Sequence, residues 1–461
     1  MKTYLGRFCH TPVRGQVEYL EDTLIRVDTD GTIQAVLRPT DDGYARALSE
    51  DSIDIFPKQA FVLPGFCDLH IHAPQWPQIG KALDLPLESW LQHHTFPLEA
   101  RYADLAFARA AYTGLVDDLL SNGTTTALYF ATIHLEATKL LADICLEKGQ
   151  RALIGKVVMD NPDQCPDFYR DSSTYQALRD TSDFVAWVRE HPDNHAARVR
   201  PVVTPRFIPS CTDAALEGLG HIAKSCGCHV QTHCSESDWQ HGYVLDRHGM
   251  SDTDSLDRFG LLTRHTTLAH ANFLSDNNMM TIVRHGAGVA HCPLSNAYFS
   301  TAVFPLRRAL DKGIRVGLGT DISGGPSSFL PDSLRAAVFA SRLLDDGVDA
   351  LQDYASRGVR DSRIDWRTAF YLATKGGAEV LDLPVGAFEP GRQFDAVLID
   401  PQAAEGSVRL MEGIDNIEEG LQKILYTASK ANITRVWVGG EVMNRRPVSS
   451  IAGSTRHESW Q

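Results

Sequence analysis

Two histidines stand one residue apart at the end of an apolar run. His70 and His72 lie in the segment PGFCDLHIHAPQW, residues 64–76. On a β-strand, residues i and i+2 point to the same face, so both imidazoles can reach one cation. His-x-His pairs also occur by chance at strand ends, and the rest of the chain has to separate a metal site from coincidence.

Similar residues close three further apolar runs. His233 ends the run CHVQTH, His270 ends TTLAH, and Asp321 ends RVGLGTD. Three imidazoles and one carboxylate suit zinc or ferrous iron, and such an ion lowers the pKa of a coordinated water to about 7. The predicted ligands are His70, His72, His233 and Asp321.

An acid–base group follows one of these ligands. Glu236 comes three residues after His233 in HCSE. A continuing strand would turn Glu236 away, so we expect the chain to leave the strand there, into a loop above the ion. A carboxylate beside the water can take its proton and return it elsewhere. His270 is expected as a further ligand or as a hydrogen-bond partner of that water, and His291 in AHCPLSN has a weaker claim as a ligand.

The middle of the chain predicts the elements that position these residues. Short apolar runs alternate with helical segments such as 105–123 and 212–227, the second opening with a Thr or Asp cap. Eight such units over roughly 260 residues fit a (β/α)8 TIM barrel, in which the carboxyl ends of all strands share one face. A doubly wound open sheet is the runner-up, but the glycine-rich phosphate loop of that fold is missing. We predict strands at 61–70, 124–130, 152–159, 198–204, 228–233, 266–270, 288–292 and 315–321.

Both ends of the chain are β-rich. The first alternates apolar and polar residues around a turn at Asp30-Gly31, and the last has a turn at Gly439-Gly440. We predict that residues 1–63 and 386–461 form one small β-sandwich domain and that residues 64–385 form the catalytic barrel. An irregular segment at 161–178 is predicted to loop over the mouth of the site.

Composition narrows the class of protein. The 461 residues are 43% hydrophobic and 22% charged, as in a globular protein with a full core. The net charge of −14 argues against nucleic acid and anionic membranes as partners. The first fifteen residues lack the apolar core of a signal peptide. The nine cysteines show no disulfide spacing, so the cytoplasm is the expected location.

The ligand pattern resembles the amidohydrolase superfamily, with HxH on strand one, His on strands five and six, and Asp on strand eight. Many members carry a lysine at the end of strand four that bridges two metals. This chain reads VVTPRF there, with Arg206 and no lysine. The resemblance therefore implies a single metal, as in the deaminase branch of the superfamily.

A denser resemblance is to the guanine deaminase family. It implies hydrolysis of guanine to xanthine and ammonia in purine catabolism, with one Zn²⁺ per subunit, Fe²⁺ as the alternative, and a homodimer. Where the family has serine or alanine variants in the first motif, this chain has Ala73-Pro74. The segments that carry the resemblance are PGFCDLHIHAPQW, DLPLESWLQHHTFPLEARY, GKVVMDN, TPRFIPSC, QTHCSES, LAHANFLS, AHCPLSN and GLGTDISGG.

The same resemblance implies roles for single residues. Glu236 moves a proton from water to the ring nitrogen, Asp321 passes a second proton to the departing amine, and His270 orients the attacking oxygen. Among further contacts, Arg206 places donors at the six-oxo group. The implied substrate contacts are Gln75, Trp76, Arg206, Phe207, His233, Glu236, His270 and Asp321.

Two other functions remain open from the sequence. One is deamination of another heterocycle, such as 8-oxoguanine, cytosine or a pterin, although TPRF and DLPLESW favour guanine. The other is a metal-free scaffold of the same fold that acts in binding or assembly. Such proteins lose their ligands, whereas this chain keeps every ligand and the acid. A bound-metal assay separates these classes, and a substrate panel separates the deaminases.

Overall fold

The computed structural model describes residues 1–300 and 302–445. Its centre is a sheet of parallel strands in the order β6-β7-β8-β10-β11-β12-β13-β14, with β9 paired to β10. This is the predicted (β/α)8 barrel. The barrel strands are β6 (Phe66–His72), β7 (Thr124–Phe130), β8 (Arg151–Gly155), β9 (Val157–Val158), β10 (Val199–Pro205), β11 (His229–Cys234), β12 (Thr266–His270), β13 (Gly288–His291) and β14 (Arg315–Leu318).

Hydrogen bonds just beyond the last strand bring the barrel close to closure. Asp321 N donates to the carbonyl of His70 at 2.8 Å, and His72 N donates to the carbonyl of Ile322 at 3.0 Å. The buried Asp68 carboxylate on β6 also accepts from Thr320, at 3.0 Å from N and 2.6 Å from Oγ1. The first and last barrel strands therefore meet at the level of the predicted ligands.

Strands from both ends of the chain share a second sheet, in the order β17-β16-β15-β5-β1-β2-β3, with β4 paired to β1. The turns predicted at Asp30-Gly31 and Gly439-Gly440 each join antiparallel neighbours, which confirms both hairpins. The chain passes between the two sheets near Gly65, while the exact domain boundaries stay a prediction. The strands are β1 (Lys2–Val13), β2 (Gln16–Val27), β3 (Ile33–Leu37), β4 (Ile53–Ile55), β5 (Phe61–Pro64), β15 (Ala396–Ile399), β16 (Ile433–Val438) and β17 (Glu441–Arg445).

Helices cover the outside of the barrel. The helix predicted at 212–227 is confirmed, and the Thr212 side chain caps it by accepting from Ala215 N. The α-helices are α1 (Tyr44–Glu50), α2 (Leu87–Trp90), α3 (Phe96–Ala100), α4 (Leu105–Ser121), α5 (Leu135–Lys148), α6 (Thr174–Glu190), α7 (Asp213–Cys226), α8 (Asp238–His248), α9 (Asp252–Arg258), α10 (Asp276–His285), α11 (Pro293–Ser295), α12 (Leu306–Asp311), α13 (Leu330–Asp346), α14 (Trp366–Tyr371), α15 (Gly377–Val380) and α16 (Ile417–Thr427).

The loop predicted at 161–178 is too long at its C-terminal end. Helix α6 begins at Thr174, after Ser173 caps it by accepting from the backbone of Gln176. The buried positions of α6 begin only at Ala177, so its first turn carries no apolar helical pattern that would distinguish it from the loop before it. Within the described residues, no helix has the length and apolar composition needed to cross a bilayer.

Candidate active site

Four side chains converge at the carboxyl-end face: His70 and His72 on β6, His233 on β11, and Asp321 just after β14. Asp321 Oδ1 lies 3.2 Å from His70 Nε2 and 3.6 Å from His72 Nε2. The Nε2 atoms of His72 and His233 face each other at 2.9 Å. All four residues are buried, His72 at 4% and His233 at 6% exposure. The structure thus brings together the four residues predicted as ligands.

The imidazoles are held in the form that can bind a metal. Burial lowers the pKa of His70, and burial together with neighbouring imidazoles lowers the pKa of His72 and His233 well below the usual value. His233 Nδ1–H donates to the carbonyl of Arg206 at 2.5 Å, which leaves the lone pair on Nε2. Burial opposes ionisation of Asp321, but the surrounding histidines hold its pKa well below the ordinary value.

The backbone leaves strand β11 as the sequence predicts. Ser235 adopts a left-handed conformation with φ of 45°, and Glu236 follows it into the cavity. The Asp252 carboxylate fixes this turn by accepting from Ser235 N at 3.0 Å. His270 and Asp321 also have positive φ, at 67° and 50°. Such strain in non-glycine residues persists where the surrounding structure imposes it, commonly at functional sites.

His270 lies between the carboxylates. Its Nε2 is 3.7 Å from Glu236 Oε1 and 3.8 Å from Asp321 Oδ2. Its Nδ1–H donates to Asn296 Oδ1 at 2.9 Å, Asn296 Nδ2 donates to Asn272 Oδ1 at 2.9 Å, and Asn272 Nδ2 donates to the carbonyl of Glu236 at 2.9 Å. A carbonyl only accepts, so the chain of amides places the free lone pair of His270 on Nε2. Sequence reasoning missed both asparagines.

A cavity opens beside these residues. Gln75, Arg206 and Phe207 line it together with His72, His233, Glu236 and Asp321. Its other walls, which the sequence did not single out, are apolar or small. They are Leu87, Trp90, Leu91, Ser295, Phe299 and Gly324.

Trp76, one of the predicted substrate contacts, lies outside this lining. Its indole Nε1 donates to Asp118 at 3.4 Å, and its ring packs against Gly114 of helix α4. Gln75 and Trp76 are consecutive in a tight 3₁₀ turn, Ala73–Gln78, and their side chains leave it in different directions. His291 is buried against Phe304 and takes no part in the converging group.

Glu99 is the second group that sequence reasoning missed. It is fully buried on helix α3, and its carboxylate accepts from both Arg206 and Gln75. The residue stands in the run DLPLESWLQHHTFPLEARY, but its partners are 24 and 107 positions away in the chain. No local pattern marks such a contact.

The converging residues fit a cation. Among the described residues, Nε2 of His70 and Nε2 of His270 are buried without a hydrogen-bond partner. Ligand atoms of His70, His72 and Asp321 lie within 4.8 Å of one another, as do those of His70, His233 and His270. Unpaired buried nitrogens are costly, whereas neutral imidazoles and one carboxylate are favoured ligands of zinc and ferrous iron.

Comparisons with known proteins agree with this geometry. The sequence profile of the Amidohydrolase family matches residues 61–443. The chain belongs to the amidohydrolase family. Guanine deaminase of Homo sapiens is 36% identical, with 95% of each chain covered. The probable guanine deaminase of Schizosaccharomyces pombe is also 36% identical, over 99% of this chain and 88% of that protein.

Solved structures of this amidohydrolase family are similar in fold. Guanine deaminase from C. acetobutylicum, with bound guanine in the active site, superposes with a TM-score of 0.85 at 30% identity. The superposition covers 96% of this chain and 99% of that one. The chain is therefore a homologue of the guanine deaminases, as its motifs predict.

Proposed function

We propose that this protein hydrolyses guanine to xanthine and ammonia, using one bound divalent cation. The observation that carries the proposal is the full-length similarity to guanine deaminases, combined with a cavity that contacts the converging histidines and Asp321. In this reaction the oxygen of water joins the ring carbon that bears the amine. The bond from that carbon to the amine nitrogen breaks, and the nitrogen leaves as ammonia.

His70, His72, His233 and Asp321 would hold the cation, and we favour Zn²⁺ over Fe²⁺ on the family resemblance. A cation bound there would lower the pKa of water and make hydroxide available at neutral pH. The structure supports a single ion because Arg206 follows strand β10 where a bridging lysine would have to stand. Its guanidinium is engaged by Glu99.

Glu236 is the proposed proton carrier. It lines the cavity and is buried, so that its pKa is raised by burial and by the charge of Asp321, against an opposing effect of His270. A raised pKa makes the carboxylate a stronger base and so a better acceptor of a proton from water. Glu236 can take a proton from the attacking water and deliver it to the ring nitrogen beside the reacting carbon.

His270 and Asp321 complete the proposed proton transfers. The free Nε2 lone pair of His270 faces both carboxylates and can accept a hydrogen bond from the attacking oxygen. Asp321, ionised and beside the same point, can take the second proton and pass it to the departing amine. Both acts need the side chains held in place, which the Asn296 contact and the closed end of the barrel provide.

Arg206, Gln75 and Phe207 are the proposed contacts of the purine. Arg206 offers donors to the six-oxo group, Gln75 offers a donor and an acceptor, and Phe207 offers a flat apolar wall. Trp90 and Phe299, whose rings are 5.0 Å apart, are added as aromatic walls of the same cavity. A lining that joins apolar and aromatic walls to a convergent set of polar side chains is typical of small-molecule sites.

The test is turnover of guanine by metal-quantified protein. Loss of guanine absorbance should match ammonia release, and Glu236→Gln should lower kcat by at least about 10²–10⁴-fold with the metal content unchanged. Turnover by the variant at the wild-type rate would remove Glu236 from the mechanism. Faster turnover of cytosine than of guanine would refute the substrate.

Two further properties are proposed. All nine cysteines are free thiols, which supports a reducing compartment and therefore the cytoplasm. The family resemblance supports a homodimer that acts in purine breakdown. Light scattering after gel filtration tests the dimer, and cell fractionation tests the location.

A further inference from the structure

The Glu99 carboxylate lies directly behind the wall of the cavity, with no exposed surface of its own. Its Oε2 accepts from Arg206 Nη1 at 2.6 Å, and its Oε1 accepts from Arg206 Nη2 at 3.1 Å. The same Oε1 accepts from Gln75 Nε2 at 2.8 Å. One buried carboxylate thus holds both polar residues that face the proposed purine site from this side.

These contacts determine which way the Gln75 amide points. An ionised carboxylate only accepts, so the Gln75 nitrogen must face Glu99. A backbone N–H only donates, and Ser323 N donates to Gln75 Oε1 at 3.1 Å. If the amide flipped, its nitrogen would face the N–H of Ser323 and its oxygen would face the Glu99 carboxylate, and neither pair can form a hydrogen bond. Gln75 therefore offers its second N–H and its second oxygen lone pair in fixed directions.

The same carboxylate orients the Arg206 guanidinium. Bidentate pairing engages both terminal nitrogens, and the Phe96 ring lies 5.1 Å from the guanidinium carbon. Arg206 has five N–H groups, of which Glu99 takes two and the Met159 sulfur, 3.6 Å from Nη1, takes one more. The remaining donors are those available to the cavity that Arg206 lines.

We propose that Glu99 is a positioning residue that sets the preference of the site for purines carrying a six-oxo group. The inference rests on the proposed function and deepens it. Glu99 does not line the cavity, so its effect passes through the directions of the Arg206 and Gln75 donors. An oxo acceptor at position six is recognised only while these donors are held toward it.

Replacing Glu99 with glutamine tests this idea with almost no change in volume. The new amide carries two N–H groups, and at least one must face a donor of Arg206 or Gln75. Because a buried site loses discrimination when its polar groups are mispaired, guanine should suffer more than 2-aminopurine, which lacks the oxo group. The measured quantity is the ratio of the KM for guanine to the inhibition constant of 2-aminopurine. We expect Glu99→Gln to raise this ratio about 10–100-fold.

The matched control is Asp395→Asn. Asp395 is another buried carboxylate that accepts two hydrogen bonds from one arginine, Arg151, at 3.2 and 3.1 Å. It lies at the junction of the barrel and the flanking sheet, away from the cavity. This control should lower thermal stability without changing the ratio of the two constants. Metal content and circular dichroism are measured on every variant.

A second variant covers the case in which Glu99→Gln does not fold. Glu99→Asp keeps an acceptor-only group but shortens its reach, so it should shift the ratio in the same direction by a smaller factor. An unchanged ratio in folded, metal-loaded Glu99→Gln, or in Glu99→Asp if only that variant folds, overturns the inference. Equal shifts in Glu99→Gln and Asp395→Asn overturn it as well. Wild-type protein that does not consume guanine would instead refute the proposed function.

Discussion

Replacing Asn296 with leucine should disable His270 without touching the ligands. Asn296 Oδ1 accepts from His270 Nδ1 at 2.9 Å, and its Nδ2 donates to Asn272 at 2.9 Å. Leucine removes both bonds, together with the bond that Ser300 Oγ donates to Asn296 Oδ1 at 3.3 Å, and leaves His270 Nδ1 and Asn272 Oδ1 unpaired at a buried position. At about 1–3 kcal/mol for each, the free energy of unfolding should fall by about 2–6 kcal/mol.

The effect on catalysis follows from the tautomer. Without the Asn296 oxygen, the proton of His270 is free to move to Nε2, where it would occupy the lone pair that faces Glu236 and Asp321. Residues that orient such an imidazole typically contribute about 10–100-fold to activity. We therefore expect kcat for guanine to fall by that factor in Asn296→Leu, with KM nearly unchanged. Asn296→Asp keeps the acceptor for Nδ1–H and should lose less activity.

Steady-state kinetics on metal-quantified protein, together with urea unfolding, provide the measurement. Asn122→Leu is the control, because Asn122 is also a buried asparagine but lies away from the proposed ligands. Its Nδ2 donates to the carbonyl oxygen of Ser328 at 3.2 Å and to Ser328 Oγ at 3.0 Å. It should lose stability and keep kcat. Wild-type kcat in folded Asn296→Leu would show that Asn296 does not determine the tautomer of His270.

Two other substitutions probe the cavity. Gly324→Ala would place a methyl group 2.9 Å from Asp321 Oδ2, so kcat/KM for guanine should fall about tenfold. Gly242→Ala is the control, because its new methyl group would have no atom within 4 Å. This control should keep full activity and stabilise helix α8 by about 0.5–1 kcal/mol. Equal activity of the two alanine variants would contradict this. Trp76→Phe removes the hydrogen bond to Asp118 and part of the ring that packs against Gly114, so stability should fall by at least about 0.5–1.5 kcal/mol. A large rise in the KM for guanine would return Trp76 to the substrate site.

The barrel and the convergence of the four residues proposed as ligands could be predicted because they depend on local pattern. Each buried parallel strand is a short apolar run, and a polar residue that ends it must lie at the carboxyl-end face. That rule places His233 and Asp321 beside His70 with no knowledge of the packing. It also places Glu236 correctly, since the three-residue offset requires the chain to turn.

Residues that act behind the first layer could not be found in this way. Glu99 and Asn296 show no distinctive spacing, and each is identified only by a partner that folding brings to it. The contrast between Gln75 and Trp76 is another case, because the direction of neighbouring side chains depends on the turn that carries them. Sequence pattern assigns residues to an end of the barrel but does not assign hydrogen-bond partners.

The closure of the barrel has a consequence for biosynthesis. His70 and His72 emerge from the ribosome long before Asp321, and the hydrogen bonds that join them to residues 321–322 form only after β14 has docked beside β6. A nascent chain can therefore offer imidazoles but not the full coordination sphere. The full set of residues proposed to hold the cation therefore exists only in the finished barrel, and fragments ending before Asp321 would remain without the carboxylate that completes the set.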